Sequence, residues 1–176
     1  NAWAVTDYVL ATLKRWAAFR GLDVTTLILG IIGAGHVGGL LTRRARALGL
    51  TCLVSDAPKA RQGLCSEHQP IDVVMAQSDV VTVHVPRIDS GPDCTTDLID
   101  STQLSRLSSG GLLINTSRGS VISESTLLSR TDVDLALDVF PDEPYISRPL
   151  LERTWQMSPH IAGHSVEGKL NGTQTI

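Results

Sequence analysis

The run Gly30-Ile31-Ile32-Gly33-Ala34-Gly35-His36-Val37-Gly38 constrains this chain more than any other stretch, because a β-branched apolar segment stops in glycines and then opens into a helical pattern. The spacing Gly33-x-Gly35-x-x-Gly38 gives each glycine a physical task. The first permits the tight turn out of a strand, the second lets a pyrophosphate approach bare backbone, and the third lets the next helix pack on the sheet. That helix would aim its free N–H groups and positive dipole end at the phosphates. The expected cradle is therefore Gly33, Ala34, Gly35, His36, Val37 and Gly38. Glycines also end strands for structural reasons alone, so the flanking sequence decides.

Leu27 to Ile32 reads as a fully buried strand, and Val37, Leu40, Leu41, Ala45 and Leu48 then recur at helical spacing until Gly49 closes the helix. The next strand, Thr51 to Ser55, leads straight to Asp56. A carboxylate in that place accepts hydrogen bonds from an adenosine ribose and repels a 2′-phosphate, which favours NAD over NADP. The plainer alternative is that Asp56 opens a turn before Pro58, and Lys59 and Arg61 leave room for NADP.

A length of 176 residues with 42% hydrophobic content suits one domain with a sizeable core. Net charge −3 gives no electrostatic reason to expect nucleic acid or an anionic membrane surface. No stretch reaches the roughly 20 apolar residues of a membrane span. The start, Asn1-Ala2-Trp3, shows no signal peptide and no initiator methionine. Cys52, Cys65 and Cys94 are too scattered for a metal site and read as reduced thiols of a cytoplasmic protein.

Val5 to Phe19 is an amphipathic helix stopped by Gly21, and its uncapped start resembles an element cut from a longer chain. Ala57 to Pro70 reads as loop, Ile71 to Gln77 as a short helix, and Asp79 to Val85 as a strand ended by Pro86. Arg87 to Thr96 is expected to be a surface loop. Asp100 or Ser101 caps a helix through Leu107, Leu112 to Asn115 is a strand, and Ser123 to Arg130 is helical. Strands follow at Val133 to Leu137 and Thr154 to Met157, and a further helix is expected near Val166. Alternating strands and helices imply an α/β, doubly wound parallel sheet, the Rossmann fold, with expected strand order 3-2-1-4-5-6 and a switch point between the first and fourth strands.

Ligands in such a sheet bind beyond the carboxyl ends of the strands, so the residues following each strand carry the chemistry. Here they are the glycine turn, Asp56, Val85-Pro86, Asn115 to Gly119, Asp138 to Glu143, and Pro159-His160. His160 can take or give a proton near neutral pH, although a lone histidine is as readily structural. Glu143, from a neighbouring loop, would orient its ring and favour the protonated form. Arg118 offers a planar fork for a substrate carboxylate, or else an ordinary surface ion pair. His84 is expected to be a packed or hydrogen-bonded structural residue. His164 and His160 would make a metal pair only on one helix face, which Pro159 and Gly163 oppose.

Taken together, Gly33-x-Gly35-x-x-Gly38 with Asp56, His84-Val85-Pro86, Ile114 to Gly119, Leu137-Asp138-Val139-Phe140 with Glu143-Pro144, and Pro159 to Gly163 resemble the D-isomer-specific 2-hydroxyacid dehydrogenases over nearly the whole chain. The resemblance implies that Arg118 holds the substrate carboxylate, His160 exchanges the C2 hydroxyl proton and Glu143 supports His160. It also implies that Asp138 meets the nicotinamide carboxamide and that Val85, Pro86, Thr116 and Ser117 line the cofactor site. Ser55 to Ala60, Gly91-Pro92 with Thr95, and Pro159 to Lys169 running on to Gly172-Thr173 point within the family to a phosphorylated small-molecule 2-hydroxy acid as substrate. Phe140 and Arg87 depart from the usual residues of such relatives.

Family members carry a second domain, built from segments before and after the cofactor domain, and are usually homodimers. Residues 1–176 are accordingly expected to be the NAD-binding domain alone, able to bind NAD(H) but to turn substrate over poorly or not at all. Glycerate, lactate or phosphoglycerate types are the alternative substrates, and a non-catalytic NAD(H) sensor is the alternative function. A sensor gives no reason for Arg118, Glu143 and His160 together. A methyltransferase using S-adenosylmethionine shares the glycine turn and the acid but likewise leaves that set unexplained.

Overall fold

Successive residues of a strand face opposite sides of a sheet, and in this chain both sides are apolar. The computed structural model describes residues 1–164 and forms one six-stranded sheet in which every neighbouring pair is parallel. The strands are β1 (Ile28–Ile32), β2 (Thr51–Ser55), β3 (Val80–Val83), β4 (Leu112–Asn115), β5 (Asp134–Leu137) and β6 (Gln156–Met157). Leu29, Ile31, Val80, Leu112, Ile114 and Ala136 pack on one face under α1 (Ala2–Arg20) and α2 (His36–Ala47). Val81, Val83, Leu113, Leu135 and Leu137 pack on the other, against α4 (Ile71–Gln77), α5 (Ser101–Arg106), α6 (Glu124–Leu128) and α7 (Arg148–Arg153).

Local chemistry sets the ends of these elements. Gly21 closes α1 in the left-handed conformation at φ 68°, with its N–H donating to the Ala17 and Ala18 carbonyls. Asp100 and Gln103 form a reciprocal capping box on α5, while Ser123 and Ser147 cap α6 and α7. Helix α1 is fixed to the far edge of the sheet by polar contacts as well. The Trp16 indole N–H donates to Asp134 Oδ2 at 2.7 Å, and the Gln156 side-chain amide donates to the Thr12 hydroxyl at 2.8 Å.

The doubly wound class holds, but the strand order is β2-β1-β3-β4-β5-β6 rather than 3-2-1-4-5-6. The place outside β2 is left without a full strand, because the segment from 57 to 70 folds into α3 (Ala57–Arg61) and turns. It touches the sheet at one parallel bridge, between Val54 and His68. Val80–Val83 is buried at every position, as suits an interior strand, and pairs with β1 on its other side. The switch point therefore lies between β1 and β3.

Three further differences are local. Asp56 caps α3 where loop was expected, α7 was not anticipated, and β3 ends at Val83, so that His84 lies beyond the strand rather than within it. The helix expected near Val166 lies outside the described residues. No described helix is long and apolar enough to cross a membrane.

Candidate active site and cofactor cleft

Two clefts open along the carboxyl edge of the sheet and share a ridge formed by His84, Val85 and Pro86. One, of ≈ 600 Å³, is bounded by the glycine turn, Asp56 and the loop after β3. The other, of ≈ 490 Å³, is bounded by Val37, Thr116, Ser117, Arg118, Asp138 and His160.

In the glycine cleft, Gly33 takes φ 93°, and a Cβ there would lie 2.6 Å from the His84 carbonyl oxygen. A Cβ at Gly38 would lie 1.8 Å from the Gly33 carbonyl oxygen, so α2 sits directly on the turn. Gly35 differs: a Cβ there would meet nothing within 4 Å, and as N-cap it supplies no side chain to α2. The first-turn N–H groups of α2 are consequently free of an Ncap partner beside open space. This geometry fits the pyrophosphate of a dinucleotide.

Ala34 is placed differently from the rest of the expected cradle. Its N–H donates to Asp56 Oδ2 at 2.8 Å, and its carbonyl accepts from Lys59 Nζ at 2.6 Å. His36, the exposed first residue of α2, borders neither cleft, and Gly38 is buried beneath the turn. Asp56 lines the cleft and also takes the plainer role, since its Oδ1 accepts the Lys59 N–H at 2.9 Å as the cap of α3.

The histidine cleft is assembled from segments distant in sequence. After β4, the Asn115 side chain accepts from the Ser117 N–H (3.0 Å) and hydroxyl (2.9 Å) and donates to the Arg118 carbonyl (3.0 Å), shaping the turn that presents Arg118. Gly119 then passes so close to the next loop that a Cβ would lie 1.8 Å from the Phe140 carbonyl oxygen. In that loop, Glu143 Oε1 accepts the Phe140 N–H at 2.7 Å, which leaves Oε2 hydrogen-bonded to His160 Nδ1 at 3.0 Å.

His160 itself stands at φ 55°, and its N–H donates to the Asp138 carbonyl at 2.8 Å. Asp138, only 1% exposed, anchors the surrounding turn. Its carboxylate accepts from the Ser158 hydroxyl (2.5 Å), the Ile161 N–H (2.8 Å) and the Ala162 N–H (2.9 Å). The Tyr8 hydroxyl shares a hydrogen bond with Ser158 at 2.7 Å, which ties α1 to the same network. A left-handed backbone at a non-glycine residue is costly and persists because these contacts determine it.

Expected residues thus fall into the two clefts, and the structure adds some that the sequence reading passed over. His84 is hydrogen-bonded as expected, its Nε2 to the Thr82 hydroxyl at 3.0 Å, and it also borders both clefts. Desolvation there pushes its imidazole down to about 3, so it is neutral at physiological pH. Its place immediately past β3 was the available signal. Ser158 and Tyr8 had no signal, because their roles depend on where α1 docks. Among the described residues, no three His, Cys, Asp or Glu side chains are grouped to hold a metal ion.

Comparison with known proteins agrees with this geometry. Residues 6–162 match the family described as D-isomer specific 2-hydroxyacid dehydrogenase, NAD binding domain. The whole chain is 43% identical over 180 residues to an erythronate-4-phosphate dehydrogenase of Pseudoalteromonas translucida, covering 48% of that protein. It is likewise 43% identical over 184 residues to an erythronate-4-phosphate dehydrogenase of Salinibacter ruber, covering 47% of it. The chain therefore spans about half the length of the curated relatives it matches. D-lactate dehydrogenase from Aquifex aeolicus, solved with NAD and lactic acid, shares the fold at TM-score 0.81 and 23% identity, with 99% of this chain and 64% of that chain covered. The glycine turn and the residues along the sheet edge are accordingly those of an NAD-binding domain, and this chain belongs to the D-isomer-specific 2-hydroxyacid dehydrogenase family.

Proposed function

We propose that the protein carrying this chain oxidises 4-phospho-D-erythronate to 2-oxo-3-hydroxy-4-phosphobutanoate with NAD, a step toward pyridoxal phosphate (vitamin B6). The observation that carries the reading is the Glu143–His160 hydrogen bond of 3.0 Å, with His160 and Arg118 on one cleft beside the glycine turn. The relatives named above supply the choice of acid. NAD supplies the hydride acceptor when bound. The glycine cleft takes its adenosine and pyrophosphate, with Gly33, Gly35 and Asp56 on its walls, and the histidine cleft takes the nicotinamide beside Val37, Val85, Pro86, Thr116, Ser117 and Asp138.

The protein's own residues hold the substrate and move one proton. Arg118 presents a planar fork to the substrate carboxylate, which fixes the C2 hydroxyl relative to His160. Because Nδ1 of His160 is engaged by Glu143, Nε2 is the nitrogen left to receive the hydroxyl proton during oxidation. In the reverse direction, protonated His160 returns it, with Glu143 stabilising the imidazolium. Asp138 keeps the turn in place throughout.

The family's second domain would complete the substrate pocket, so residues 1–176 alone bind NAD(H) and turn over poorly. The reading takes the full-length protein to be a cytoplasmic homodimer, as the family resemblance implies. Steady-state assays of that protein against 4-phosphoerythronate, glycerate, lactate and 3-phosphoglycerate test it. A preference of kcat/KM for 4-phosphoerythronate is expected, and a preference for any of the other three would reject this choice of substrate.

A further inference from the structure

Four charged side chains border the end of the glycine cleft where the adenosine ribose is placed: Asp56, Lys59, Arg61 and Asp93. Both cations are already engaged. Lys59 donates to the Ala34 carbonyl, and Arg61 reaches across from the end of α3 to pair with Asp93 in the loop after β3. His68, on the same wall, accepts the Asp56 N–H through Nδ1 at 3.0 Å. The formal charges of the four cancel.

A ribose 2′-phosphate adds about two negative charges and needs a free cation, and a guanidinium is the side chain best shaped to meet it. Arg61 stands just past the acid that follows β2, on the wall where such a phosphate would arrive. We propose that Asp93 is a cofactor-selectivity residue: by neutralising Arg61 it denies NADP the cation it needs, and so reinforces the discrimination begun by Asp56. The pair also joins the end of α3 to the loop after β3, so discrimination depends on a long-range contact. The inference rests on the glycine cleft being the adenosine site.

The test is direct binding, read by the fluorescence of NADH and NADPH titrated into the wild-type protein, Asp93→Asn, and Asp93→Asn combined with Arg61→Ala. In Asp93→Asn the ratio of the NADPH to the NADH dissociation constant should fall about fivefold, the scale of an exposed ion pair. The double variant should return the ratio to the wild-type value, because the freed guanidinium is what NADPH gained. A ratio unchanged in Asp93→Asn, or still shifted in the double variant, would overturn the proposal. Absence of NADH binding by the wild-type protein would overturn the cofactor site itself, and this inference with it.

Discussion

At one end of the carboxyl edge, Gly33, Gly35 and Gly38 lie within a single turn of chain and work by what they lack: each removes a Cβ from a place where backbone or ligand must come close. At the other end, Arg118, Glu143 and His160 come from three separate connections and work by what they carry. The glycine turn is built largely by neighbours in sequence, Gly38 sitting on Gly33, with His84 and Asp56 closing on it from outside. The histidine cleft exists only after Gly119 has packed on Phe140 and Asp138 has gathered the turn from Ser158 to Ala162. The difference teaches that the clearance at the glycine turn is set within a few residues, whereas the grouping of Arg118, Glu143 and His160 is a property of the assembled fold.

The contrast is broken most severely within the glycine turn itself. Gly38→Ala places a methyl 1.8 Å from the Gly33 carbonyl. Overpacking against backbone of this kind should lower unfolding free energy by about 3 kcal/mol or more in denaturant titration. Gly35→Ala meets open space and should cost less than about 1 kcal/mol, yet lose at least about tenfold in NADH affinity because the methyl occupies the ligand's place. Equal stability loss in the two variants would show that the turn is structural only.

At the histidine end, Asp138→Asn turns a triple acceptor into a group that meets its donors with an amide. Removing a partner from buried hydrogen bonds should cost about 1–3 kcal/mol and lower turnover of the full-length protein, while leaving the glycine turn competent for ADP. Measured ADP affinity separates that outcome from general unfolding.

A smaller effect concerns His84, on the ridge between the clefts. Its folded-state pKa lies near 3 against 6.5 for the free side chain, so the unfolded chain binds the proton more readily. The stability that depends on neutral His84 is complete above pH 6.5 and is lost as pH falls from there toward 3. Unfolding free energies from denaturant titration across that range should decline less steeply in His84→Gln than in wild type, by no more than about 1.4 kcal/mol per pH unit.

Legibility in the sequence follows the same division. Strands β2 and β4 and helix α4 match their apolar runs residue for residue, because Gly, Pro and capping side chains mark their ends locally. The glycine spacing and Asp56 were likewise local signals. Strand order was misread because nothing in Ala57 to Pro70 announces that a strand position will be reduced to one bridge at His68. Arg118, Glu143 and His160 could be picked out as residues following strands, but their mutual arrangement depends on a close approach between Gly119 and Phe140 that no local pattern encodes. Asp138 borders the histidine cleft, and nothing local signalled that its carboxylate also holds the His160 turn, a role set by burial.

The division of labour is tested most directly by His160→Asn in the full-length protein, with kcat and NADH affinity measured on the same preparation. Loss of the proton-transfer group should lower kcat by about 10²–10⁴ while NADH affinity stays within about twofold of wild type. Unchanged turnover would contradict the account, and so would a loss of NADH binding that parallels the loss of turnover.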